Sequence, residues 1–375
     1  MNITTKTGGA IFIALGHHMR NTIVILTLLW ATCGSNAHAQ ELKEDLKTII
    51  KAVKVKYDST YISKPRRLTL KVFGTRNYLD YKLIDKHVDE TITYRANTPL
   101  NIGLGASYRG IGLSFSIRTG LVKKYEQYGK TKSFDLSTQI FLPKIAIDIY
   151  GKYYRGYYIT DPSSILNNTP EDASYIRPDL RNAVIGISGE YILNAKKFSF
   201  SSPYSQTQIQ KKSAGSFLFG AGAFALLINA DSSIIPAEIN NIEFFKRERF
   251  NKSNIYSIIV NGGYAYTLVI HKKYFVSGSL NLGGGLSYAT LSDAATKSRD
   301  GKIGTQLDMA FRLGAGYNYD RYFAGLQYTR LVTKNVTPVK ATHEYLGAGS
   351  VRIVFARRFK FRQKTIDHAL NSISK

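Results

Sequence analysis

The chain has 375 residues, 51 Lys and Arg against 26 Asp and Glu for a formal charge of +25, 44% hydrophobic residues, 26 Tyr, 31 Gly and one Cys. A lone cysteine excludes a disulfide scaffold and a zinc-thiolate centre, and this apolar and aromatic content excludes a disordered polycation. The length admits two or three soluble domains or one large β-barrel.

Met19-Arg20-Asn21 opens a short basic region ahead of the apolar residues 22–31, and Ala37-His38-Ala39 supplies a small-x-small cleavage site. This is the pattern of a secretory signal peptide over residues 1–39, with translation read as starting at Met19. Lipoprotein processing at Cys33 is the weaker alternative, because Trp30-Ala31-Thr32 lacks the usual leucine and small-residue pair. Loss of Lys6 and Arg20 takes the charge from +25 to +23 and leaves an exported chain without cysteine. Thiol catalysis is thereby excluded. Residues 41–56 place Leu42, Leu46, Ile49, Ile50 and Val53 on one helical face. They predict an amphipathic helix in a periplasmic leader over residues 40–63, docked on a surface or plugging a lumen.

Beyond the signal no stretch approaches the ~18 apolar residues of a spanning helix; the best, 217–230, is broken by Gly220 and Gly222. Alternation is the alternative signature, because a barrel strand sets apolar outward residues against small or polar lumen residues. Ile102, Leu104, Ala106 and Tyr108 oppose Asn101, Gly103, Gly105 and Ser107; beyond Arg109-Gly110, Ile111, Leu113, Phe115 and Ile117 oppose Gly112, Ser114, Ser116 and Arg118. Further strands are expected at 134–142, 144–158, 183–193, 197–204, 216–229 and 254–270. In 274–288, Tyr274, Val276, Leu280, Leu282, Leu286 and Tyr288 oppose Ser277, Ser279, Asn281, Gly283, Gly285 and Ser287. Residues 303–317 repeat the pattern from Ile303 to Tyr317, and 321–333 and 345–361 follow. The last strand, amphipathic and aromatic-ended, suits recognition by the barrel-assembly machinery.

Short turns are expected near 194–196, 271–273 and 319–320, and long loops near 121–131, 159–181, 230–253, 290–302 and 334–343. Short periplasmic turns alternating with long outer loops are a barrel trait. The count loses parity between Gln206 and Asn254, so either 234–245 is a strand or one turn is misplaced. The expected fold is all-β: a transmembrane antiparallel β-barrel of about 14 strands (12 to 16) over residues 64–361, with a polar tail at 362–375.

Several phrases resemble a known family: Tyr57-Asp58-Ser59-Thr60-Tyr61, Tyr94-Arg95-Ala96-Asn97-Thr98-Pro99, Gly103 to Gly110, Tyr128-Gly129-Lys130-Thr131-Lys132, Tyr154-Arg155-Gly156-Tyr157-Tyr158, Asn194 to Ser199, and Gln210-Lys211-Lys212-Ser213-Ala214-Gly215-Ser216. The chain is similar over residues 57–361 to the exported Bacteroidetes proteins grouped as domain of unknown function 4421. The resemblance implies an outer-membrane barrel and carries no catalytic, binding or cofactor residue with it.

Gln210, Lys211, Lys212, Ser213 and Gly215, in the most specific of these phrases, lack the order of a phosphate loop and predict a tight structural contact. Arg118, Asp135, Asp148, Lys152, Glu190, Asp308, Arg312 and Arg352 are the candidate lumen-facing charges. They either pair across the barrel and fill it or line a conduit. Asp308 and Arg312, ~13 Å apart along one strand, are placed to pair with neighbouring strands rather than with each other. Four histidines follow the signal: His87, His271, His343 and His368. His343 would be the base of a barrel lipid hydrolase, but Glu344 beside it points to the opposite face. No HExxH, GxSxG or metal-spaced cluster occurs, so no enzyme activity and no cofactor are expected.

The basic residues are dispersed over strand ends and loops, as in Lys246-Arg247-Glu248-Arg249. They suit outer-membrane lipid and lipopolysaccharide phosphates rather than nucleic acid. The leading expectation is a non-enzymatic outer-membrane barrel acting as a small pore or surface protein. The alternatives are a lipid-modifying barrel enzyme and a periplasmic β-protein or lipoprotein.

Overall fold

Successive side chains of a strand point to opposite faces, so a two-residue period separates two chemistries across a sheet. The computed structural model describes residues 55–64, 67–108, 111–119, 126–167, 170, 174–293 and 298–360. The expected signal peptide, leader helix and tail lie outside them, apart from the leader's last residues.

The strands are β1 (Ile62–Ser63), β2 (Arg67–Asp85), β3 (Glu90–Arg95), β4 (Asn101–Tyr108), β5 (Ile111–Arg118), β6 (Lys132–Phe141), β7 (Ile145–Ile159) and β8 (Tyr175–Ile192), followed by β9 (Ile209–Gln210) and β10 (Ala214–Asn229). The remainder are β11 (Lys252–Ile270), β12 (Tyr274–Asp293), β13 (Ser298–Tyr319), β14 (Tyr322–Val336) and β15 (Thr342–Lys360). All but β1 and β9, which pair with each other, form one 13-stranded antiparallel sheet. β15 pairs with β2 from Thr342↔Asp85 to Lys360↔Arg67 and closes it into a barrel.

The wall has two circumferences. At the distal end, where β2 finishes and β15 begins, only β3 stands between β2 and β7, giving a ring of ten strands. At the proximal end β4, β5 and β6 stand there instead, giving a ring of twelve. β3 and β4 are the two halves of one descending run, interrupted at Pro99, which has no N–H to donate to a ladder. Asn97 fastens the break: its N–H donates to Thr131 Oγ1 (2.9 Å) and its amide to Gly129 O (2.9 Å), while Thr131 Oγ1 donates to Gly156 O (2.7 Å). Gly156 forms the β7 bulge at φ +91°, and a Cβ there would meet Lys130 O at 2.3 Å. Only glycine accepts both demands.

Four strands were not expected from the sequence, the two-residue β1 and β9 and, in the wall, β2 and β3. In β2 the alternation is present, with Thr69, Phe73, Thr75 and Asn77 inward and Leu70 and Val72 outward. Lys71 on the inner face and Arg76 on the outer face mask it. A turn does stand at 194–196, closed by Lys197 and Phe198 N–H donating to Asn194 O, but the expected strand at 197–204 is corrected: the chain runs on to 213 as one long segment carrying a helical turn, Ser201–Tyr204, and β9. The 234–245 stretch is not a strand either, so parity is restored without it. β8 begins inside the expected 159–181 loop, and β12 and β13 extend to Asp293 and from Ser298.

Outside, Val260, Ile258, Leu282, Ile303, Leu307, Ile353 and Phe355 are exposed. Tyrosines bracket this belt, Tyr274, Tyr319 and Tyr322 proximally and Tyr256 and Tyr288 distally. The inner face is buried, which is where the functional groups gather.

Candidate functional site

Both mouths of the barrel are filled. At the distal mouth the β10–β11 loop folds inward and buries Ile234, Ile235, Ile239, Phe244, Phe245 and Phe250 against Leu79, Tyr81, Leu83, Tyr94, Ile159 and Leu226 of the wall. Polar anchors hold it: Phe245 N–H donates to Asp85 Oδ2 at 2.7 Å, Arg177 Nη1 donates to Ile234 O at 3.0 Å, and Arg249 Nη1 donates to Pro236 O at 2.7 Å. Arg177 is itself fixed by a two-pronged pair with Asp179, both contacts 2.9 Å. Hydrophobic sequence in a long loop, unusual for a solvated connection, was the available signal for this cap.

At the proximal mouth the 194–213 segment buries Phe198, Phe200 and Tyr204 beside Phe141, Ile192 and Leu218. The barrel wall donates to its backbone: Asn318 Nδ2 to Ser202 O (3.2 Å), Gln327 Nε2 to Pro203 O (2.6 Å) and Arg358 Nε to Gln206 O (2.9 Å). The family-like heptapeptide is the seam that returns this plug to the wall. Gln210 is buried; its carbonyl accepts from Ser199 N–H (2.8 Å) and its amide donates to Lys197 O (2.6 Å) and Lys212 O (2.9 Å). Lys211 N–H donates to Tyr61 O (2.7 Å), Lys212 lies over the Tyr61 ring, and Ser213 Oγ accepts from Val269 N–H (2.9 Å). Gly215 O accepts from Asn194 Nδ2 at 2.9 Å. These contacts give each residue an internal task.

Between the two fillings lies a charged layer. Arg312 Nη2 donates to Asp148 Oδ2 (2.6 Å) and Nη1 to Glu190 Oε2 (3.1 Å). Gln139 donates to Asp148 (2.7 Å), Asn281 donates to Glu190 (2.6 Å), and the guanidinium lies 5.3 Å from the Phe200 ring centroid. A second cluster joins Lys152 Nζ to Asp135 Oδ1 at 2.6 Å, with Tyr154 Oη (2.6 Å) and Asn77 Nδ2 (3.1 Å) donating to Asp135 Oδ2. Buried charge is tolerable only when paired and hydrogen-bonded to this degree.

All eight expected lumen charges lie on the inner face, but they differ in company. Asp148, Glu190 and Arg312 converge, as do Asp135 and Lys152. Arg118 reaches Ser133 Oγ at 3.0 Å across a neighbouring strand. Arg352 stacks on Phe73, 4.5 Å to the ring centroid, and its Nε has no hydrogen-bond partner among the described residues. Asp308 Oδ1 is likewise unpartnered there. Asn77, Tyr154, Gln139 and Asn281 complete the clusters and were missed, since a neutral side chain on an inner face carries no mark of its partner. Buried Lys71 was hidden with β2.

Arg118, Asp135, Asp148, Lys152, Arg312 and Arg352 border a chamber of about 270 Å³ in the wider proximal half of the barrel. His343 sits at the distal end of β15 with Glu344 on the opposite face. Glu344 accepts from Tyr81 Oη (3.0 Å) and Ser253 Oγ (2.8 Å), so it is committed inside the barrel and does not orient the imidazole.

Residues 56–359 match the model of a family described as "Domain of unknown function (DUF4421)". No curated protein matches the chain. Among solved structures, the outer membrane protease OmpT from Escherichia coli is similar at 10% identity and a TM-score of 0.38, covering 82% of this chain and 100% of its own. The translocator domain of the autotransporter NalP from Neisseria meningitidis is similar at 11% identity and a TM-score of 0.34, covering 86% and 96%. The toluene transporter TodX of P. putida is similar at 8% identity and a TM-score of 0.23, covering 80% and 91%. Likenesses this distant assign neither residues nor activity.

Proposed function

The chain belongs to the DUF4421 family, and we propose from its structure that it is an integral outer-membrane β-barrel that is sealed along its axis and non-enzymatic. The observation that carries this reading is the pairing of an apolar, tyrosine-bracketed outer face with a filled interior. Apart from the β5–β6 seam, the closed barrel satisfies its ladder hydrogen bonds internally and can stand in hydrocarbon, and tyrosines suit the two interfaces. The layered filling of cap, charged clusters and plug argues against the expected small pore. The engagement of Glu344 with Tyr81 and Ser253 leaves His343 without that carboxylate to orient it as the base of a lipid-hydrolysing Ser-His couple.

Membrane fractionation with heat-modifiable gel mobility tests the first half. The protein is expected in the detergent-requiring fraction, migrating faster unheated than boiled; release into buffer without detergent would refute membrane insertion. Planar-bilayer recording tests the second half, with no single-channel steps expected. Regular open-channel steps from the intact protein would refute the seal.

A further inference from the structure

Strands β5 and β6 are neighbours in the proximal wall, yet a single residue pair, Ile111↔Ile140, joins them. The flanking β4–β5 and β6–β7 ladders run the full length of the shorter strand. Continued from Ile111↔Ile140, the register would bring Arg118 opposite Ser133. There the Arg118 guanidinium does bridge to Ser133 Oγ at 3.0 Å. Between these two fastenings residues 112–117 face β6 without a ladder, a slot ~20 Å tall at the rise of a strand.

The slot has an outer and an inner side. On the outer face it is flanked by the exposed Leu113, Phe115 and Ile117 of β5 and Phe134 and Leu136 of β6. The chamber is bordered by Ser114, Ser116 and Asp135 and also by Phe115, Phe134 and Leu136 of the same two strands, so it lies directly behind the stretch that has no ladder. Lipid cannot satisfy the free backbone N–H and C=O groups of a parted seam. Something with polar atoms at one end and an apolar remainder meets both demands.

The charge of the chamber selects the polar end. Lys152 is neutralised by Asp135, and Arg312 is shared by Asp148 and Glu190, a cluster with one formal negative charge in excess. Arg118 and Arg352 make no ion pair among the described residues, and Arg352 Nε is a buried donor with no acceptor there. Two guanidinium groups facing a chamber with room for on the order of nine waters suit a compact oxyanion.

We propose that the β5–β6 seam is a lateral port and that the chamber binds the anionic head of an amphiphile, a phosphate or carboxylate. Its alkyl chain passes between the strands to the apolar outer face beside Phe115 and Phe134. This rests on the reading of the barrel as membrane-embedded.

The test uses the full exported chain in phosphatidylcholine nanodiscs, with dodecyl phosphate as probe and inorganic phosphate and dodecyl maltoside as comparisons, all by calorimetry. Dodecyl phosphate is expected to saturate one site. Arg118→Gln and Arg352→Gln should each weaken it about tenfold or more. A Leu113→Cys/Thr138→Cys pair, made in a chain otherwise free of cysteine after the signal, should lose binding when oxidised and regain it on reduction. Because the same molecules are compared before and after reduction, misfolding cannot imitate that result. Equal binding in the two redox states, equal affinity for inorganic phosphate, or indifference to Arg352→Gln would each overturn the port. Failure of wild-type heat-modifiable mobility would instead overturn the membrane reading. A heat-modifiable barrel that ignores dodecyl phosphate would overturn the port alone.

Discussion

Arg312 on β13 and Asp148 on β7 meet across the barrel interior at 2.6 Å, although 164 residues separate them in the chain. Glu190 on β8 takes the other prong of the same guanidinium at 3.1 Å. All three side chains are almost fully buried, so the cluster braces the twelve-stranded half from inside.

Arg312→Ala is expected to lower unfolding stability by about 3–5 kcal/mol, because it strands two buried carboxylates. Urea titration followed by loss of heat-modifiable mobility measures the change. A triple variant, Arg312→Met with Asp148→Asn and Glu190→Gln, should recover part of the loss, since no charge is then left unpaired. A single variant as stable as wild type would show that the cluster is solvated and not a brace.

Gln210→Ala should cost about 1–3 kcal/mol, the penalty for leaving buried partners unmatched, here Ser199 N–H and the carbonyls of Lys197 and Lys212. Lys211→Ala should change the unfolding midpoint by less than ~0.5 kcal/mol, as surface substitutions do, its tie to Tyr61 being made by backbone. The reverse ranking in urea titrations would indicate that the heptapeptide serves through its cations rather than as the plug's fastening.

Phe245, Lys246 and Arg247 occupy left-handed backbone at φ 52°, 53° and 66° within the distal cap. Such a run costs ~1–2 kcal/mol per non-glycine residue, and glycine gives back ~0.5–1 through its unfolded state. Lys246 is exposed, so Lys246→Gly is expected to stabilise by about 0.5–1 kcal/mol. Thermal unfolding read by gel mobility would show a raised midpoint; a lowered one would mean that the lysine makes contacts the backbone argument omits.

Outside the barrel wall, Asp58 accepts from both Thr60 Oγ1 (2.7 Å) and Thr60 N–H (2.9 Å). These hydrogen bonds hold its carboxyl below the usual aspartate value, with Lys197 and Lys212 adding a smaller push in the same direction. A depressed folded pKa means that the turn's contribution is present above the unfolded carboxyl pKa and is lost as pH falls through the folded one. Carboxyl-resolved NMR titration should find the Asp58 midpoint below that of a model aspartate, and Thr60→Val should raise it. An unchanged midpoint in Thr60→Val would remove the hydroxyl as the main cause.

Barrel class was legible because alternation is a local property. Residues 274–288 and 303–317 sort onto outer and inner faces residue by residue as their sequence orders them. β2 was illegible because Lys71, buried on the inner face, and Arg76, exposed on the outer face, interrupt that order. The plug was misread as a hairpin because 197–204 carries enough Phe, Tyr and Ser to imitate a strand. Its aromatics are buried by folding inward on the mouth, which a period cannot express.

The alternation of the strands, the shared face of the eight lumen candidates and the lack of a thiol, metal-spaced cluster or nucleophile motif beyond residue 39 could all be read from the amino-acid order. These follow from side-chain period and residue type, which each short stretch carries alone. Folding alone sets the narrowing of the ring from twelve strands to ten, the filling of both mouths, and the gathering of Asp148 and Glu190 by Arg312 while Arg352 Nε keeps no acceptor among the described residues. Those outcomes depend on register and closure between residues far apart in the chain, and pairing energy of that kind is not written in any one segment.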